Sequence, residues 1–145
     1  MPKPATRTTD LISHEVTNSG IHLIKINDGS RAAIASLIAI FESLYSEPQR
    51  DHAIFALIDS SEHALPIIPS MRQTMQLEHN YPNHPAMNAA VLLNLDIAIM
   101  GDTLLRPLRT RNSIRLFTPK DRDRALEWLA SRQAMYAAKR DQTSG

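Results

Sequence analysis

The stretch "AIFALIDSSEHALP", residues 53–66, decides the fold. Six apolar residues run without a break and stop at Asp59. The run is too short for a typical helix. It also lacks the polar alternation of a strand with one wet face. It suits a strand covered on both faces, as in a parallel sheet flanked by helices. Asp59 then stands at the strand's carboxyl end, where α/β proteins place functional groups. Asp59, Ser60 and Ser61 are therefore the candidate regulatory or binding edge. After them, Pro66 and Pro69 predict a loop.

Upstream, "LISHEV" and "IHLIKIND" predict two strands joined by a turn at Asn18-Ser19-Gly20, residues that tolerate positive φ. His22 is read as a half-exposed strand residue. The period then changes. Ile34, Leu37, Ile38, Phe41, Leu44 and Tyr45 recur at i, i+3, i+4 and i+7, an amphipathic helix. Asp28 or Ser30 can cap its start, and Pro48 ends it.

Downstream, Ser70 can cap a helix through "MRQTMQLEHN", with Met71 and Met75 as a weak, partly exposed stripe. The breaker "YPNHP" leads to a buried strand, "AAVLLNL". A helix over "DIAIMGDTLLRPLRTR" follows, kinked or divided at Pro107, and then a strand, "SIRLF". Thr118-Pro119-Lys120-Asp121 carries a helix start, with Pro at the first helical position. Ala125, Leu126 and Leu129 supply that helix's apolar face, with Trp128 at its margin. Strands alternate with helices. The expected fold is α/β, a sandwich with a mainly parallel sheet, an antiparallel edge strand and flanking helices. A single domain over 11–140 is expected, between flexible tails at 1–10 and 141–145.

Composition narrows the function. The chain has 145 residues, no cysteine, and 16 Lys plus Arg against 15 Asp plus Glu. Disulfides, thiolate metal sites and cysteine nucleophiles are excluded. A net charge of +1 gives no case for a nucleic-acid partner. The arginines of "RPLRTRNSIR" and "RDR" read as solvated helix ends. No apolar run is long enough for a membrane span, and "MPKPATRTTD" lacks a signal-peptide core. The expected location is cytoplasmic.

Catalytic constellations are missing. The four glycines make neither GxGxxG nor GxxxxGK[ST], and "NDGSR" is a thin phosphate loop at best. His79 and His84 lie five apart, and His52 and His63 flank the decisive strand. Neither pair has the spacing of helical zinc ligands, so no metal and no cofactor is expected. Asp59 and Asp96 both sit at strand ends. A phosphoacceptor site of the receiver type would also need an acidic pair after the first parallel strand, where only Asp28 stands. No GxSxG elbow occurs. The expectation is a protein without enzyme activity.

Three stretches resemble the SpoIIAA-like (STAS-type) fold, in particular bacterial SpoIIAA/STAS-like proteins. They are "GIHLIKINDGSRAAIASLIAIFESL", "AIFALIDSS" and "IRLFTPKDRDRALEWL". The resemblance implies a non-enzymatic regulatory or protein-interaction module with a protein partner, or a homodimer. The alternative it implies is a small-molecule, nucleotide or lipid-binding domain of the same fold, with "LPIIP" over a pocket. Some members carry an Asp-Ser-Ser-Gly motif whose Ser, at a helix N-terminus, is phosphorylated by the partner kinase. Here Glu62 replaces the glycine, and two prolines soon follow. A phosphate between Asp59 and Glu62 would meet repulsion unless an arginine such as Arg72 approached. Serines bonding within a turn are the reading that fits. A docking module predicts exposed apolar surface around Leu65, Ile67 and Ile68 or around Met71 and Met75.

Overall fold

The computed structural model describes residues 7–8, 11–63, 66–94 and 112–143. One six-stranded sheet runs in sequential order, β1 (Arg7–Thr8), β2 (Ile12–Val16), β3 (His22–Ile26), β4 (Ala53–Asp59), β5 (Ala86–Leu92) and β6 (Ser113–Phe117). The first two pairings are antiparallel and the last three parallel. The fold is thus α/β with a mainly parallel sheet, antiparallel at one edge. β1 falls where a tail was expected and is itself the edge strand beside β2.

Helix α1 (Arg31–Ser46) joins β3 to β4, and α2 (Ile67–Asn80) joins β4 to β5. Parallel crossovers share one hand, so successive crossovers along a sequentially ordered sheet stack on one face. α1 and α2 do so. Leu37, Phe41, Leu44 and Tyr45 of α1 and Leu77 of α2 share one core with Ile54, Ala56 and Ile58 of β4. Helix α3 (Arg122–Thr143) covers the other face, where Ala125 and Leu129 meet Ala53, Phe55 and Leu57. Successive β4 side chains therefore enter opposite cores, as the unbroken apolar run requires. Each fully buried Ile, Leu or Phe contributes about 1.5–3 kcal/mol.

Ser30 caps α1, accepting from the Ala33 amide at 3.2 Å. Gly20 at φ +90° turns the β2–β3 hairpin. The start of α2 differs from expectation. It begins at Ile67, and Ser70 lies within it, its Oγ donating to the Pro66 carbonyl at 2.6 Å. Pro69 is tolerated because first-turn amides have no intrahelical acceptor. Thr118 precedes a short 3₁₀ turn, Pro119–Asp121, before α3 begins. α3 continues to Thr143, inside the stretch expected as a tail. The expectations for Leu65, for Asp96 and for the helix around Pro107 lie outside the described residues.

Candidate functional site

β4 carries Asp59 to the carboxyl end of the sheet. The register sets it beside Lys25 of β3 and Leu92 of β5. The Ser60 amide extends the ladder by donating to Leu92 O at 3.0 Å. The chain then turns. Asp59 Oδ1 accepts from the Ser61 amide at 3.0 Å and from the Ser61 hydroxyl at 2.5 Å. This local bonding is what Asp and Ser offer the backbone at a turn. Arg122, at the start of α3, places Nη1 3.8 Å from Asp59 Oδ2. Lys25 pairs with Glu62 at 3.3 Å. Ser13, Glu15, Lys25, Asp59 and Arg122 border a cleft of about 280 Å³.

The three expected edge residues thus fall together but differ in access. Ser60 is 4% exposed, and its hydroxyl donates to His63 O at 2.8 Å. Ser61 is half-buried, and α2 begins six residues later at Ile67, so Ser61 does not stand at the N-terminus of α2. The edge is an acceptor-rich turn with its charges paired across it. The Ser61 hydroxyl donates to Asp59 within this closed turn, so its hydrogen bond is spent locally.

The histidines separate. His84 is buried, its Nδ1 lying 2.6 Å from Pro85 O and its ring stacked on Tyr45 at 4.4 Å. His79 is exposed near the end of α2, while His52 and His63 lie at opposite ends of β4. Among the described residues, no three His, Asp or Glu side chains converge as metal ligands.

Two features escaped the sequence reading. His14 and His22 lie diagonally across the β2–β3 ladder, with Nε2 and Nδ1 3.0 Å apart and rings 5.2 Å apart. Burial, and secondarily the neighbouring His14, lower the His22 pKa to about 4, so its ring is neutral at neutral pH. The hairpin register, read from the Thr17–Gly20 turn, was the signal that could have found the pair. The second feature is at the opposite end of the sheet. Arg140, near the end of α3, donates from Nη1 to both Asp51 carboxylate oxygens, at 3.0 and 3.1 Å. No sequence pattern links residues that far apart.

No family model, no curated protein and no solved structure matches this chain.

Proposed function

We propose that this chain is a non-enzymatic, cytoplasmic protein-interaction module of the STAS-like type, and that it docks a partner protein through the outward face of α2. One observation carries the reading. Ile68 is 64% exposed and Met75 47%, and among the described residues they are the large apolar side chains left in water. They lie seven positions apart, two helical turns, so they share a face. Arg72 lies between them and His79 follows, both exposed. The row Ile68, Arg72, Met75, His79 is apolar and basic, and no acid stands in it. The occupant it fits is a partner helix or loop with apolar anchors and carboxylates beside them. The resemblance to STAS-like stretches points the same way, and the absence of cysteine suits a reducing compartment.

Photo-crosslinking tests this directly. A photoreactive residue at position 72 is compared with one at position 124, exposed on α3. The expected result is a distinct protein captured from position 72 alone. Once purified, that protein should bind the wild-type chain and should bind Ile68→Glu, Met75→Glu and Arg72→Glu at least tenfold more weakly. Capture of a second copy of this chain would replace the hetero-partner with a homodimer. Equal binding by all three variants would overturn the assignment of the surface.

A further inference from the structure

A second cleft, of about 570 Å³, opens at the amino-terminal edge of the parallel strands. It lies between the β2–β3 turn, the 3₁₀ turn Arg50–His52 and the second half of α3, remote from the Asp59 edge and from α2. Its volume is that of a small-molecule site. Phe55 contributes an apolar wall, and Ser19, Gln49 and Gln133 contribute polar groups. Gln133 Nε2 donates to Ser19 O at 2.8 Å and ties α3 to the β2–β3 turn, while Gln49 Nε2 donates to Leu44 O of α1 at 3.0 Å.

The charges in the cleft do not balance. Asp51 and Arg140 form an ion pair at 3.0 Å, with the Asp51 side chain 12% exposed. Asp141 also approaches Arg140, at 3.9 Å, but is 78% exposed and largely screened by water. Arg50 also lines the cleft, and its guanidinium has no hydrogen-bond or ion-pair partner among the described residues. His22, neutral, adds no charge. One positive charge is left over, on a planar group suited to oxyanions. The backbone here is also committed: Asp51 and His52 both hold left-handed conformations, at φ 58° and 52°. Such conformations persist where surrounding structure enforces them, and the Arg140 pair supplies that hold on Asp51.

We infer that this cleft binds a small molecule bearing a carboxylate or phosphate, with Arg50 as the anion anchor and the Asp51–Arg140 pair as the strut that holds the Arg50 turn in place. The occupant is a small molecule rather than a nucleic acid, because the chain's net charge is only +1 and the surplus here is a single cation, the exposed Arg50 at the cleft's rim. The inference is independent of the docking role of α2.

The test is a titration of the full chain followed by amide chemical shifts and by thermal shift. Inorganic phosphate and succinate are used at constant ionic strength, with chloride as control. The expected result is saturable shifts clustered at Ser19, Gly20, residues 49–53 and Gln133, with at least one of the two anions. Arg50→Gln, a change at an exposed side chain, should weaken that binding about tenfold, the effect of losing one charge-assisted hydrogen bond. Arg72→Gln on α2 should leave it unchanged. No saturable shift with either anion, shifts centred elsewhere, or equal binding by Arg50→Gln would each overturn the inference. Whichever anion binds more tightly identifies the headgroup.

Discussion

Arg132 of α3 donates from Nε to Oδ1 of Asn88, a wholly buried residue at the second position that β5 turns toward α3, at 2.8 Å. The same guanidinium donates from Nη2 to Ser113 Oγ at 2.8 Å, so it ties α3 to β5 and β6 together. Asn88 Nδ2 is spent on the carbonyls of Ile54, at 3.3 Å, and Ala86, at 3.4 Å. Replacing Asn88 by Ala should cost about 2–3 kcal/mol in urea unfolding, because a half-buried guanidinium loses its acceptor. The double variant Asn88→Ala with Arg132→Ala should cost less than the sum of the singles. Strict additivity would show that the bond does not couple the two elements.

The Ser61 turn predicts the response to negative charge. Ser61→Ala removes two groups' worth of turn bonding only in part, since the amide still donates to Asp59. It should cost about 1 kcal/mol. Ser61→Glu should cost more, because a carboxylate then sits beside Asp59 and Glu62. Thermal unfolding of the two variants decides this. A Glu variant as stable as wild type would mean that the edge accommodates a phosphate-like charge.

The histidine pair predicts acid sensitivity. The folded-state pKa of His22 is lowered to about 4 from 6.5, by burial first and His14 second. The unfolded chain therefore takes up a proton that the folded chain refuses. This contribution to stability is fully present above pH 6.5 and is lost as pH falls from there to about 4. The full shift corresponds to at most about 3 kcal/mol, reduced by the water that reaches a half-buried ring. Unfolding free energies at pH 7 and pH 4.5 should show the slope, and His22→Gln should flatten it. An unchanged slope in the variant would assign the acid sensitivity to other groups.

α2 carries opposite roles two residues apart. Leu77 is 3% exposed and packs in the α1–α2 core, whereas Met75 is 47% exposed. Leu77→Ala should cost about 2–5 kcal/mol and Met75→Ala no more than about 0.5 kcal/mol, by urea titration. A large loss at Met75 would mean that its face is already covered within the chain, which would remove the basis for docking there.

The order of strands and helices was legible because period and length are local. An apolar run of six residues suits a strand with helices on both faces, and β4 is such a strand. The start of α2 differs from the expectation for a physical reason. Proline blocks helix interiors but not first turns, and the sequence alone does not say which of these Pro69 occupies. Asp59, Ser60 and Ser61 were found together because a turn of three adjacent residues needs no tertiary information. Their difference in access was hidden, since the burial of Ser60 depends on His63 O and Leu92 O.

By itself, then, the sequence determined the α/β alternation, the doubly covered central strand and the acidic turn that closes it. Only the tertiary structure decided which charges meet. Lys25 reaches Glu62 and Arg122 reaches Asp59 through parallel register and the placement of α3. Asp51 meets Arg140 across the far edge, while Arg50 beside it has no counter-charge among the described residues. Periodicity records which residues leave water. It does not record which side chain, brought from a distant element, stands opposite a given charge, because pairing is set by how whole helices lie on the sheet.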